Sequence, residues 1–235
     1  MRIDILSLFP AMFKGILESS ILAIALEKKL VDIWLTDIRN FSYASHRNVD
    51  DRPYAGGPGM LLKPEPIFRA VESIPHNPEH PPLYILLTPQ GEVFQQKTAL
   101  ELSQKEHLVL ICGHYEGFDE RIRLGLKPRE ISIGDYVLTG GEIPAMVLVD
   151  SIARLIPGVL GDIESTEHES FSNGLLEYPQ YTRPPVFRGM EVPEILYSGH
   201  HKKIEEWKKQ KALERTILRR PDLMKNAAQN SGENA

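Results

Sequence analysis

Three short stretches of the chain set acidic side chains beside bare backbone: "TPQGE" (88–92), "GHYEG" (113–117) and "IGDYVLTGGEIPA" (133–145). Glycine turns that follow an apolar run often cradle phosphate, because main-chain N–H groups and a helix N-terminus attract an anion. Here the neighbours are Glu116, Asp119, Asp135 and Glu142, which would repel one. The chain also lacks G-x-x-x-x-G-K-[ST], and none of the three turns contains G-x-G-x-x-G. What suits these residues is a ligand that comes close to backbone, carries amide-like hydrogen-bonding edges and tolerates negative surroundings.

A nucleoside bearing a positive group has those properties. Glycines admit it, main-chain groups can read an adenine edge, and Leu87, Ile133 and Leu138 could sandwich the ring. S-Adenosylmethionine, with its sulfonium, is therefore the leading candidate. The plainer alternative is that each glycine only makes a tight strand-to-helix turn. That alternative is the better one for any single turn, and three turns in series shift the balance toward a ligand. Other reactive residues say less. Lone Cys112 excludes an internal disulfide and the Cys-pair zinc patterns and reads as a small buried hydrophobe. The eight histidines show no paired metal-ligand spacing, His200 and His201 at a helix start face solvent or RNA, and Tyr136 reads as ordinary core.

The elements that must position the turns alternate between strand and helix patterns. "IDILSLF" (3–9) and "VDIWLTDI" (31–38) read as strands, with a helix at "ILAIALEKKL" opened by Ser19 and Ser20. The glycine-rich "RNVDDRPYAGGPGM" (47–60) precedes a helix at "PEPIFRAVESI". Then "LYILL" (83–87), "HLVLIC" (107–112) and "EISI" (130–133) each run into one of the three turns and a helical pattern, the last with Pro144 in its first turn. Short apolar strands alternating with helices predict an α/β fold with a mostly parallel sheet covered on both faces. In such a sheet ligands sit outside the carboxyl ends of the strands, so the three turns should cluster.

At 235 residues, with 42% apolar and 25% charged residues, the chain is long enough for a main domain and a small appendage. Periodicity is lost over residues 157–174, which read as an interdomain linker able to order over the site when a substrate arrives. A last helical unit follows at "SGHHKKIEEWKKQKALERTILRRPD", and the expected division is 1–160, 161–175 and 176–235. Net charge is −5 but uneven: from Ser170 onward Lys and Arg outnumber Asp and Glu by 11 to 8, and residues 1–169 carry 16 against 24. Lys208, Arg215 and Arg219, with Lys211 beside them, share one helix face that could meet backbone phosphates. A solvated helix diluted by Glu205, Glu206 and Glu214 is the equal alternative. Asp4 interrupts the first apolar run, so the N-terminus fails as a signal peptide, and no run reaches the ~18 apolar residues of a membrane span. A cytoplasmic protein is expected.

"RPYAGGPGM", "LLTPQGEVF", "LICGHYEGFDERI", "ISIGDYVLTGGEIPA" and "SFSNGLLEYPQYTRP" together resemble the signature segments of bacterial tRNA (guanine-N1)-methyltransferases, in the knotted SPOUT class, over nearly the whole chain. The resemblance implies an α/β domain whose C-terminal part ties a deep trefoil knot, a small helical C-terminal domain, and an obligate homodimer. It implies methyl transfer from S-adenosylmethionine to N1 of the guanosine just 3′ of the anticodon of tRNA. The donor would be held by Leu87, Thr88, Pro89 and Gln90, by Gly113, Tyr115 and Glu116, and by Ile133, Gly134, Asp135, Tyr136, Val137, Leu138, Gly140 and Gly141, with Pro144 nearby. Tyr115 and Arg183 are expected at the RNA alongside Lys208 and Arg215. A divalent metal, magnesium, is also suggested, with no ligands assigned here.

By the same resemblance the base that removes the N1 proton is Glu169, and its cationic partner is Arg154. A carboxylate can bond both N1–H and the exocyclic amine of guanine, while a cation stabilises charge developing on O6. Many relatives carry aspartate where this chain reads "EHESF", so the carboxylate here stands one bond farther from the backbone, and Glu167 and His168 are alternatives. Taken alone, Glu169 reads as a solvated linker acid and Arg154 as the helix partner of Asp150. Three rival readings remain: a SPOUT enzyme acting on another base or a ribose 2′-OH, a non-catalytic RNA-binding module with a nucleoside pocket, and a dinucleotide oxidoreductase, the last disfavoured by the missing phosphate fingerprint.

Overall fold

The computed structural model describes residues 1–160 and 169–224. By its internal contacts the chain divides into two units, Met1–Gly161 and Asp162–Ala235. The first is organised by five strands, of which β5 in its first half and β6 carry the continuous apolar runs of strands covered on both faces. They are β1 (Arg2–Ser7), β2 (Asp32–Asp37), β5 (Leu83–Val93), β6 (His107–Cys112) and β7 (Arg129–Ser132), in the order β2-β1-β6-β5-β7. All four pairings are parallel, so every carboxyl end lies along one edge. A two-residue antiparallel pair, β3 (Asp50–Asp51) with β4 (Leu61–Leu62), closes the glycine-rich segment into a hairpin.

Alternation along the strands sends Ile3, Ile5, Ile85, Leu108, Leu110 and Ile131 into one core. There they meet α2 (Ser20–Glu27), α4 (Gln96–Ser103) and α6 (Glu142–Ala153), with the short α1 (Lys14–Leu17) alongside. Leu6, Leu86, Val109 and Ile111 point the other way, toward α3 (Pro64–Glu72) and α5 (Glu120–Leu126). The sheet is thus covered on both faces. At its amino edge the buried Asp4 carboxylate accepts from Arg2 Nε (2.7 Å), Arg2 Nη2 (2.9 Å) and His107 Nε2 (2.7 Å), which satisfies a charge that would otherwise be costly inside.

One element departs from the sequence reading. "TPQGE" reads as a turn after a five-residue strand, yet β5 continues to Val93, and both Leu87 and Glu92 face Ile131 of β7. Residues 88–91 form the irregularity between those two registers. Gly91 makes it possible, because a Cβ there would overlap the backbone of Glu130 and Ile131. The glycine signal was real, but it marked a bulge where two strands approach and not a chain reversal.

In the second unit, β8 (Val186–Phe187) and β9 (Met190–Glu191) make a small antiparallel hairpin, followed by a 3-10 turn (Glu194–Tyr197) and α7 (His201–Arg219). The Ser-Gly signal ahead of α7 supplies no side-chain cap: His200 is the N-cap residue and makes no capping bond. Buried Thr216 anchors the helix instead. Its hydroxyl donates to the Ala212 carbonyl (2.7 Å) and accepts the Leu176 N–H (2.8 Å).

Candidate active site

Beside the irregular middle of β5 and the carboxyl ends of β6 and β7 the three glycine-bearing segments surround a cavity of about 490 Å³. That size is in the range of small-molecule sites. Its lining includes Leu87, Thr88, Pro89 and Gln90 from β5, and Gly113, Tyr115 and Glu116 after β6. Ile133, Gly134, Tyr136, Val137, Leu138, Gly140 and Gly141 follow β7, with Pro144 from α6. Asp135 is exposed and stands outside the lining. Tyr136 is 55% exposed, with its hydroxyl donating to the Ile133 carbonyl (3.2 Å), and so is not the core residue that its apolar neighbours suggested.

The second and third turns are held by backbone. Gly141 N–H donates to the Gly113 carbonyl (2.7 Å), and His114 and Gly140 form an isolated antiparallel bridge. A Cβ on Gly141 would stand 2.7 Å from Gly113 N and 2.8 Å from Cys112 Cα, nearer than non-bonded atoms tolerate, so only glycine lets the turns meet. Behind them Glu142, in the first turn of α6, is almost fully buried and accepts from Ser7 Oγ (2.7 Å). A carboxylate at a helix N-terminus is favoured by the helix dipole, and this bond ties α6 to the end of β1. Burial, with a contribution from Glu142, pushes the Cys112 thiol well above its ordinary pKa.

In the 114–117 turn, Gly117 N–H donates to the His114 carbonyl (3.1 Å) and Tyr115 takes a left-handed conformation, φ 59°. A non-glycine residue there costs about 1–2 kcal/mol, so its surroundings must hold it. Glu116 N–H reaches the Met60 carbonyl (3.0 Å), Leu62 N–H the Gly117 carbonyl (2.9 Å) and Asp119 N–H the Leu62 carbonyl (3.0 Å). The β3–β4 hairpin is therefore stitched to this turn, which is how Leu61 comes to line the cavity. No local signal in the sequence marks Leu61. His114, Gly117, Phe118, Ser132, Thr139, Glu120 and Arg123 also line it and were not singled out, although all but Arg123 lie inside quoted motifs.

Arg154 is the C-cap residue of α6 and is half-buried. Glu169 is half-buried in the second unit, where its carbonyl accepts from Ser172 N (3.2 Å) and Oγ (2.7 Å). Glu167 and His168 lie outside the described residues. Arg183 borders a second hollow, together with Tyr181, Val186 and Tyr197. Lys208 pairs with Glu205 (2.7 Å) and sits 5.2 Å above the Tyr178 ring; the Glu205 hydrogen bond raises its pKa against the opposing effect of burial. Arg215 Nη1 donates to the Glu177 carbonyl (3.3 Å), and Lys211 pairs with Glu214 (2.6 Å), so part of the basic face is engaged within its own unit.

The sequence model of the family described as tRNA (Guanine-1)-methyltransferase TrmD matches residues 1–226. The chain belongs to that family. It is 60% identical over 228 residues to a tRNA (guanine-N(1)-)-methyltransferase of Brevibacillus brevis, covering 97% of this chain and 93% of that protein. The namesake from Geobacillus kaustophilus is 61% identical over 224 residues (95% and 91%), and that from Moorella thermoacetica 57% over 225 (95% and 90%). As a tRNA (guanine-1)-methyltransferase the chain is an enzyme of tRNA modification. Such an enzyme needs room for a methyl carrier beside a place where guanine can lose a proton. Among the described residues no helix is long and apolar enough to cross a membrane.

Proposed function

We propose that the cavity between the middle of β5 and the ends of β6 and β7 holds S-adenosylmethionine, and that the enzyme methylates N1 of the guanosine immediately 3′ of the anticodon in tRNA. The observation that carries this is the meeting of the glycine turns through Gly141 N–H and the Gly113 carbonyl, within a wall that also includes Glu116. The fit is good: glycine backbone packs close, Leu87, Ile133 and Leu138 supply apolar surface, and among the described residues no lysine lines the cavity. Bound there, the donor would supply an electrophilic methyl group, the S–CH3 bond breaking and the neutral thioether leaving. The other steps belong to the chain. Glu169 accepts the N1 proton as the N1–carbon bond forms, while Arg154 stabilises negative charge on O6.

Several parts of the reading come from the family and have partial support on the molecule. Lys208, Arg215, Arg183 and Tyr115 are assigned to RNA, with the target base splayed out of the anticodon loop. Residues 1–160 are assigned to donor binding, 161–175 to a linker, and 176–235 to tRNA. The deep trefoil knot belongs to the same reading, and a β5 that faces β7 in both of its halves is compatible with it. So does a homodimer, supported by the exposed apolar side chains of Met12, Ile143 and Val147 where the turn at Pro10–Phe13 meets α6. For magnesium no ligand set is proposed: no group of three His, Cys, Asp or Glu stands together among the described residues, and no step above involves a metal.

The test is incubation with methyl-labelled S-adenosylmethionine and unmodified tRNA carrying guanosine after the anticodon, followed by nucleoside analysis. Labelled 1-methylguanosine at that position supports the reading. Label on another base or a ribose 2′-OH would favour a different SPOUT activity, and RNA binding without transfer would favour a non-catalytic module.

A further inference from the structure

We infer that His114 is a positioning residue whose Nδ1, by accepting the Tyr115 amide proton, holds Tyr115 in the left-handed conformation that shapes the cavity wall. The inference deepens the reading of this cavity as the donor site and rests on it. Tyr115 N lies 2.9 Å from His114 Nδ1. A backbone N–H can only donate, so Nδ1 is the unprotonated nitrogen and the ring proton sits on Nε2.

The ring has little freedom to leave that position. Phe9 packs against it with centroids 5.0 Å apart, and the Tyr115 ring meets it edge-on at 4.9 Å and 68°. Its Cδ2 lies so near Gly140 that a Cβ there would come within 2.9 Å. The backbone of His114 is fixed as well, by the bridge to Gly140 and by the bond from Gly117 N–H to its carbonyl. The imidazole is thus held by three neighbours and in turn holds the amide of the next residue, which sits in a backbone region that a tyrosine rarely adopts. Stacking alone would be served by phenylalanine; the hydrogen bond needs an acceptor at the Nδ1 position. Asparagine offers an oxygen close to that point, whereas glutamine carries its polar atoms one bond farther out, where Nε2 lies.

Three variants separate these roles: His114→Asn, His114→Gln and His114→Phe, each assayed for kcat and KM toward tRNA, with thermal unfolding to confirm folding. A lost hydrogen bond to a strained backbone corresponds to a drop in kcat/KM of roughly tenfold for His114→Gln and His114→Phe, with His114→Asn retaining activity within about threefold of wild type. Nitrogen-15 NMR of the wild-type ring above neutral pH should show the neutral Nε2–H tautomer, a readout that does not depend on activity or on any variant folding. A glutamine variant as active as wild type, an asparagine variant as impaired as the other two, or a ring proton on Nδ1 would overturn the inference. Failure of the wild-type enzyme to methylate guanine N1 would instead undo the reading of the cavity, and the NMR result would still decide the Tyr115 bond.

Discussion

Arg154 is the C-cap residue of α6, and the role proposed for its guanidinium is to stabilise charge developing on O6. Arg154→Ala should lower kcat on the order of 100-fold, the scale of losing one donor to a developing oxyanion. The rate should fall by far more than stability does when the variant is followed by thermal unfolding; turnover near wild type would remove Arg154 from the mechanism. Asp119 has a structural part, capping α5 by accepting from Arg121 N–H (2.9 Å) and pairing with the Arg121 side chain (2.7 Å), which holds its carboxyl below the ordinary value. A depressed folded pKa means stability that is complete above the unfolded value of about 3.9 and is lost as pH falls through the folded one. Asp119→Ala should therefore cost about 1 kcal/mol near neutral pH, and urea titrations should show that difference shrinking in acid. A pH-independent difference would show that the charge is not involved. At this scale the sequence spoke through residue types: glycines announced the cavity, whereas of the acids Glu116, Asp119, Asp135 and Glu142 only Glu116 lines it. It misplaced Tyr136, because flanking apolar residues do not reveal which side of an irregular loop faces water. It passed over His114, whose role depends on a hydrogen bond to its neighbour's backbone.

Continuous apolar runs made β6 legible to the residue, since a strand buried on both faces has little choice of composition. The length of β5 was hidden by glycine and proline in residues 88–91, where pairing with β7 overrides local turn chemistry. The turns themselves depend on close backbone approach, and Gly141 is the point of least tolerance. Gly141→Ala must push the 113–117 and 133–141 segments apart, at a cost of about 1–3 kcal/mol if the core absorbs it. Calorimetric titration should show donor affinity lost with the protein still folded, and unchanged affinity would mean that the junction does not shape the site. Ser7→Ala removes the hydroxyl that serves buried Glu142 and should destabilise by about 1–3 kcal/mol, as read from denaturant unfolding. No change would show that water can replace the hydroxyl there.

For the molecule as a whole, the uneven charge and the exposed apolar seam point to two different partners. Val147, 38% exposed on α6, lies on the seam assigned to a second copy of the chain. Val147→Asp should convert a dimer into a species near 26.6 kDa in sedimentation, and a monomeric wild type would contradict the assignment. If Arg154 of one chain serves the donor cavity of another, an Arg154→Ala chain mixed with a Gly141→Ala chain should recover activity; no recovery would argue against a shared site. Chain path and assembly were the least legible features. Hydropathy patterns record which residues are covered, but not the order in which the chain threads or whether the cover comes from another molecule. That the bulge of β5 and the turns after β6 and β7 form the methyl-donor site is tested most directly by a structure determined with S-adenosylmethionine bound. The account predicts adenosine and methionine density among residues 87–90, 113–116 and 133–141; density at any other site, with this cavity left to solvent, would contradict it.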